Sequence, residues 1–108
     1  MIMKIAVFLK NNELTMLHEA KAHVVIFNID KDKVIGVENI VLEQQNIDSI
    51  LIWLNRKSIN QIYVSVIDSQ IHRMINSHGI RVRTLKTLED DKLYKTLALS
   101  SFKLQESY

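Results

Sequence analysis

Apolar residues run almost without a break through residues 3–9, as is typical of a strand that is covered on both faces in the middle of a sheet. A second apolar run at residues 24–29 and a third extended segment at residues 34–42 predict two further strands. The polar segment at residues 30–33 is short enough to join the second and third strands as an antiparallel hairpin. Gly36 interrupts the third strand, which predicts a bulge or a close backbone approach at that point.

After this hairpin, the apolar spacing changes to that of a helix. Asn46 is a favoured N-cap residue, and the apolar positions after it recur at helical intervals and predict the first helix. These positions are Ile47, Ile50, Leu51 and Leu54. Ile52 and Trp53 lie off this stripe, so either the helix is buried on a broad face or the two residues mark a protein contact.

The remaining segments predict two strands and two helices. Residues 61–67 are β-branched and aromatic, which favours a fourth strand, and residues 80–84 form a short fifth strand. Asp68 is placed to cap the second helix and Gly79 to follow its end. On that helix, we expect His72 to be exposed and His78 to lie on the buried stripe. Residues 87–90 have capping-box spacing and predict a third helix, with an apolar stripe at Leu93, Leu97 and Leu104.

This succession of elements predicts a single α/β domain over residues 1–104, with a frayed tail at 105–108. Right-handed crossovers through the first two helices place the fourth strand parallel to the first, and the fifth beside the fourth. The result is a five-stranded mixed sheet of order 3-2-1-4-5 with three helices. A crevice is expected between the carboxyl ends of the first and fourth strands, where such sheets bind small molecules.

Composition narrows the function further. The chain has 108 residues, of which 47% are apolar, and it contains no cysteine. It therefore has no disulfide, no thiol nucleophile and no thiolate ligand for zinc or an iron–sulfur cluster, and we expect a cytoplasmic protein. No apolar stretch is long enough for a membrane span or a signal core. The net charge of +2 is too small to indicate nucleic-acid binding.

The predicted crevice brings a small set of polar residues together. Asn11, Lys21 and Ser69 are expected to line it and to contact any bound cofactor. His18 lies in the loop beside it and is the leading candidate for a metal ligand as well as for a cofactor contact. The alternative is that His18 is simply solvated, because a metal site needs several ligands in a defined geometry.

The sequence offers no constellation for catalysis. Two-metal hydrolysis needs several clustered carboxylates, but residues 3–9 contain none and Asp68 stands alone after the fourth strand. No serine lies in a Gly-x-Ser-x-Gly segment. Arg81 and Arg83 belong to a local basic surplus, which either attracts an acidic partner or protects an edge strand from pairing. Aromatic residues do not alternate with these bases, so a nucleic-acid surface is not expected.

Several short motifs resemble the dinitrogenase iron-molybdenum cofactor biosynthesis domains. Residues 3–7 (Met-Lys-Ile-Ala-Val) look like the first strand of that family, and residues 18–22 (His-Glu-Ala-Lys-Ala) have the spacing of its His-Phe-Gly-Arg-Ala loop. Residues 78–82 (His-Gly-Ile-Arg-Val) are similar to its Ala-Gly-Ile-x-Val segment. The resemblance spans roughly residues 3–100. It implies a three-layer ribonuclease-H-like fold and a non-enzymatic protein that binds or carries an iron-containing cluster, with His18 as the ligand.

The chain departs from this family at the turn between the fourth strand and the second helix. Family members have a glycine-rich turn there, whereas residues 65–69 contain no glycine, and Asp68 would occupy the amides that an anion needs. Two hypotheses follow. The protein is a divergent family member that binds a metal cluster weakly, or it is a protein-interaction module of the same fold that has lost its cofactor. We expect the chain to bind a partner protein or a second copy of itself, and we do not expect it to bind nucleic acid or a membrane.

Overall fold

The computed structural model describes residues 2–17, 19, 21–43, 46–86 and 91–95. A short helical turn at residues 92–95 follows the last strand. The other elements, in chain order, are β1 (Ile2–Lys10), β2 (Glu13–Leu14), β3 (Ala22–Asp30), β4 (Lys33–Leu42), α1 (Ile47–Arg56), β5 (Gln61–Tyr63), α2 (Ser69–Ser77) and β6 (Arg81–Arg83).

These strands form one mixed sheet of order β4-β3-β1-β5-β6, in which β2 also pairs with β1. The β4-β3-β1 half is antiparallel, while β1, β5 and β6 run parallel. The α/β class and the order of the five principal strands are therefore confirmed. The sheet has six strands rather than the five predicted. The additional strand, β2, forms because Asn11 and Asn12 adopt left-handed backbone angles (φ of 54° and 67°) and turn the chain straight back onto β1.

The fourth predicted strand is shorter than expected. It ends at Tyr63 instead of residue 67. The chain then passes between the loop that contains Thr15 and the segment that contains Leu85. The Ser65 amide donates to the Thr15 carbonyl (3.0 Å), and the Ser65 carbonyl accepts from the Leu85 amide (3.2 Å). The backbone groups of Ser65 are thus hydrogen-bonded to neighbouring loops and not to an adjacent strand. The strand therefore ends earlier than the sequence predicts, and loops form the carboxyl end of this part of the sheet.

Apolar side chains pack on both faces of the sheet. Alternate residues of β1 enter two separate cores, because successive strand side chains point to opposite faces. Ala6 and Phe8 pack in the core that α1 and α2 cover, where Leu54 and Ile75 are buried. The other core contains Ile5, Val7, Val25, Phe27 and Tyr63, with Leu93 and Tyr94 packed against it.

The predicted helix boundaries are confirmed at both described helices. The Asn46 side chain accepts from the Asp48 amide (2.8 Å) at the start of α1, and Asp68 caps α2 in the same way. Gly79 has a φ of 79° and follows His78, the C-cap residue of α2, as expected for the C′ position. Of the two residues off the apolar stripe of α1, Trp53 is half-buried against the core, whereas Ile52 is 59% exposed, so the buried face of the helix extends to Trp53 but not to Ile52.

Two histidine predictions on α2 are wrong. His78 is exposed, and its Nδ1 donates to the Met74 carbonyl (2.9 Å), because the end of a helix offers unpaired carbonyls that the ring can reach. His72 is half-buried instead of exposed, and it borders a cavity together with Thr84 and Leu85, which follow β6.

The third predicted helix is described only in part. In the helical turn at residues 92–95, Asp91 acts as the cap, and its Oδ1 accepts from the Tyr94 amide (2.9 Å). The predicted capping box at 87–90, the apolar positions Leu97 and Leu104, and the tail at 105–108 all lie outside the described residues.

Gly36 fulfils both of its predicted roles. The β3–β4 register shifts between Asn28 and Ile29, and Ile35 is the additional residue on β4. A Cβ atom on Gly36 would lie 3.3 Å from Asn28 Nδ2, so the bulge brings the backbone close to a side chain.

Candidate functional site

The carboxyl ends of β1 and β5 lie side by side, because these two strands are parallel neighbours. The loop after β2 is held over the end of β1, since the Thr15 amide donates to the Phe8 carbonyl (2.9 Å). The Thr15 carbonyl in turn accepts from the Ser65 amide on the β5 side. The crevice predicted from the strand order is therefore present, and its two walls are joined at Thr15.

A cavity of about 330 Å³ opens at this crevice. Among the described residues, five apolar side chains and one carboxylate line it: Met16, Leu17, Val66, Ile67, Asp68 and Ile71. Leu17 is almost fully buried, whereas Met16 and Val66 are exposed. The lining is therefore mostly apolar and suits an uncharged group.

Asp68 makes this end of the crevice unsuited to an anion. Its Oδ1 accepts from the amides of Gln70 (2.8 Å) and Ile71 (3.4 Å), the donors that the N-terminus of α2 would otherwise offer. An anionic cluster at this turn would face a carboxylate with these amides already engaged. The described residues at this turn therefore do not fit the cluster that the family resemblance implies.

A second cavity of about 370 Å³ adjoins the first and shares Val66 and Ile67 with it. Its other described lining residues are more polar: Ser65, His72, Val82, Thr84, Leu85 and Lys86. Val66 and Leu85 are both more than half exposed. Exposed apolar side chains thus continue from the crevice towards the end of β6.

The predicted site residues are only partly brought together. Ser69 follows Asp68 at the start of α2, beside the cavity. Asn11 is an exposed residue of the β1–β2 turn, and Lys21 is exposed just before β3 with a φ of 56°. Within the described residues, neither of these two lines the crevice cavity. His18 lies outside the described residues, next to the cavity-lining Leu17.

The described part of the chain contains no group of three or more histidine, aspartate or glutamate residues placed to hold a metal ion. His23 lies in β3, where its Nε2 is 3.0 Å from Asn39 Oδ1, and His78 is engaged with the end of α2. These two rings are thus on separate elements.

Sequence reasoning missed the apolar lining of the crevice. Residues 64–67 were expected to continue a strand, so Val66 and Ile67 were assigned to the sheet and not to the cavity. Met16 and Leu17 lie in a short loop, where an apolar pair is a signal of burial or contact that could have identified them.

A polar cluster lies inside the core on the other face of the sheet. The fully buried Tyr63 hydroxyl donates to Asp91 Oδ2 (2.9 Å) and accepts from Gln61 Nε2 (3.0 Å). Arg83 Nε lies 4.0 Å from the same carboxylate oxygen. The Tyr94 ring packs on Tyr63 with centroids 5.0 Å apart. Burial, and secondly the hydrogen bond and negative charge of Asp91, raise the pKa of the Tyr63 phenol well above its ordinary value.

This raised pKa predicts a loss of stability in alkali. In the unfolded chain Tyr63 ionises near its ordinary pKa of 10.0, whereas the folded protein retains the proton to a higher pH. The stabilisation is therefore complete below about pH 10 and decreases as the pH rises towards the folded pKa. We expect the free energy of unfolding, measured in urea, to fall more steeply above about pH 10 in the wild type than in Tyr63→Phe. Equal slopes for the two proteins would contradict this assignment.

Comparison with known proteins identifies a solved structure of similar fold. No protein-family model matches this chain, and no curated protein does. A solved structure, the crystal structure of PH0822, superposes with a TM-score of 0.63 over 76% of this chain and 76% of that chain. The two sequences are 18% identical over this match, so the comparison establishes a shared α/β fold and no common activity. In the described residues, no helix is long and apolar enough to cross a membrane.

Proposed function

We propose that this protein is a small, non-enzymatic protein-interaction domain with a ribonuclease-H-like fold. It is a divergent relative of the dinitrogenase iron-molybdenum cofactor biosynthesis domains, and it acts in the cytoplasm. Its binding site is the crevice at the carboxyl ends of β1 and β5. The ligand is an apolar side chain of a partner protein.

The lining of the crevice carries this proposal. Met16, Val66 and Ile71 offer apolar surface, and Leu17 is almost fully buried beside them. A cavity of about 330 Å³ is large enough for an aromatic or branched aliphatic side chain. Desolvating such a group against an apolar wall contributes about 25 cal/mol per Å² of buried surface.

Relatedness to the cofactor biosynthesis domains rests on the short motifs and on the order of the strands. The order β4-β3-β1-β5-β6 places the crevice at a cavity lined by Leu17, and residues 18–22, the segment that resembles the family loop, follow Leu17 directly in the sequence. Weak binding of an iron-containing cluster through His18 is the second candidate, because this histidine directly follows a cavity residue. The capping role of Asp68 argues against it.

The chemistry of the described crevice lining supports a non-enzymatic role. Asp68 is the one acid among its described lining residues, and its carboxylate is hydrogen-bonded to backbone amides. No base or nucleophile stands beside it in the described lining, so proton transfer and acyl transfer both lack a second group.

Titration with N-acetyl-tryptophanamide and N-acetyl-leucinamide, followed by amide chemical shifts, tests the interaction role. We expect shifts confined to Leu17, Ile67, Ile71 and their neighbours. Val66→Lys should weaken this binding at least about tenfold, because an apolar ligand in the cavity would have to desolvate the lysine ammonium group. Ile52→Lys is the matched control, because Ile52 is as exposed as Val66 but lies on α1. Shifts that are scattered over the surface, or equal effects of the two lysines, would contradict the proposal.

Anaerobic reconstitution with iron and sulfide tests the second candidate in parallel. For an interaction domain, we expect no retained iron and no visible absorbance band after desalting. Retention of iron that is lost in His18→Ala but not in the control His78→Ala, which alters a histidine at the end of α2 away from the crevice, would favour cluster carriage instead.

A further inference from the structure

The two edges of the sheet differ in how they are protected against pairing. β6 is a three-residue edge strand with exposed arginines at both ends, a common device against edge-to-edge association. β4 is a ten-residue strand, and within the described chain nothing pairs with its outer side. Its exposed apolar residues are Ile35 (55% exposed), Val37 (42%) and Val41 (55%). This long edge is therefore open to another strand.

The hydrogen-bond pattern shows which backbone groups of β4 point outward. The Lys4 carbonyl accepts from the Asn60 amide (2.8 Å), so the backbone groups of Lys4 face the β5 side of β1. The backbone amide and carbonyl groups of successive strand residues point to opposite sides of the strand, so those of the odd-numbered residues of β1 point towards β3. They pair with odd-numbered residues of β3, as Val7 does with Val25. The even-numbered residues of β3 therefore face β4.

The same alternation applies to β4. Even-numbered residues of β3 pair with even-numbered residues of β4, as Val24 does with Ile40. The backbone groups of these even-numbered β4 residues point towards β3. The amides and carbonyls of Val37, Asn39 and Val41 therefore point away from the sheet. The three residues follow the bulge at Ile35, in the regular part of the strand. They form a ready template for an antiparallel strand.

We propose that the outer edge of β4 pairs with β4 of a second copy of this chain. The two strands run antiparallel about a two-fold axis at Asn39, which places Val37 of one copy opposite Val41 of the other. The two sheets then join into one continuous sheet.

The side chains of β4 favour this partner and this register. Cross-strand pairs of β-branched residues stabilise an antiparallel ladder, and Val37 and Val41 form such a pair twice. An axis at Glu38 would oppose two carboxylates, whereas an axis at Asn39 separates them, and each Glu38 is already paired with Lys57 at 3.5 Å. Antiparallel copies also bring the exposed Lys33 end of one strand towards the exposed Glu43 end of the other.

Sedimentation equilibrium of the full chain over a wide concentration range tests the association. We expect a reversible monomer–dimer equilibrium. Asn39→Lys and Asn39→Glu should each raise the dissociation constant at least about tenfold, because like charges then meet at the axis. An equimolar mixture of the two variants should associate again. Val66→Lys, three strands away beyond β5, is the matched control and should dimerise as the wild type does.

Hydrogen exchange of the wild type locates the interface without any substitution. The amides of Val37, Asn39 and Val41 should become protected as the protein concentration rises. A strict monomer, growth beyond a dimer, dimers that persist in Asn39→Lys, or dissociation by Val66→Lys would overturn the proposal. Binding of the apolar amides at the crevice is measured separately, so the edge pairing and the crevice function can fail independently.

Discussion

Replacing Tyr63 with phenylalanine is expected to lower the free energy of unfolding by about 2–3 kcal/mol. The substitution keeps the ring and its packing on Tyr94 but removes the hydroxyl that joins Asp91 and Gln61. The Asp91 side chain is 8% exposed, so its carboxylate loses a donor that water cannot easily replace. The cost is therefore mainly that of leaving a buried charged group short of a hydrogen bond.

Urea denaturation measures this effect, and a double-mutant cycle assigns it. Asp91→Ala removes the other partner, and the double variant with Tyr63→Phe should lose much less than the sum of the two single losses. Arg73→Ala, at an exposed position of α2, is the control and should change stability by less than about 0.5 kcal/mol. Strict additivity of the two core variants would show that the Tyr63–Asp91 hydrogen bond does not stabilise the protein.

Replacing Ile75 with alanine is expected to lower the free energy of unfolding by about 3 kcal/mol, because it leaves a cavity in a fully packed core. Ile75 is fully buried and is the buried residue of α2. A helix of nine residues is not stable on its own, so this contact holds α2 on the sheet. Because Asp68, the N-cap of α2, and Ile71, in its first turn, line the crevice, the loss should also weaken binding there.

Met74→Ala is the matched control for Ile75→Ala. Met74 is the preceding residue on the same helix but is 37% exposed, and its truncation should cost less than about 1 kcal/mol. Urea denaturation gives the stabilities, and hydrogen exchange of the α2 amides reports whether the helix loosens. A similar loss in both variants would mean that the position on the helix face is unimportant and would contradict the packing described for α2.

Local interactions explain why much of the secondary structure could be predicted. Asn46 and Asp68 each cap a helix through amides two and three residues later, so the sequence alone contains both partners. Gly79 is equally local, because its left-handed backbone is a property of one residue. The order of the five principal strands also followed, since two helical crossovers of one hand leave few arrangements.

Non-local contacts explain what could not be predicted. The end of β5 at Tyr63 depends on Thr15 and Leu85, which lie far away in the chain and accept or donate at Ser65. The short strand β2 depends on two asparagines that share one turn, a feature that resembles an ordinary polar loop in sequence. The Tyr63–Asp91 hydrogen bond spans 28 residues and has no local signature.

The sequence predicted the position of the candidate site but not the residues that line it. The strand order correctly located the crevice between β1 and β5, because parallel neighbours bring their carboxyl ends together. The polar residues Asn11 and Lys21 were assigned to it because they are hydrophilic and near those ends in sequence. In the structure both are exposed residues with left-handed backbone angles.

The sequence by itself determined the helix ends, the buried strands and the order in which they assemble, since these depend on spacing and on neighbours a few residues apart. Only the tertiary structure decided that Met16, Leu17 and Val66 line the crevice. It also decided that the described sheet ends at one edge in a short strand with exposed arginines and at the other in a ten-residue strand with no pairing partner among the described residues. The physical reason is the range of the forces involved. Capping and periodicity act within a turn or two, whereas the walls of a crevice and the free side of a strand exist only after distant segments have packed together.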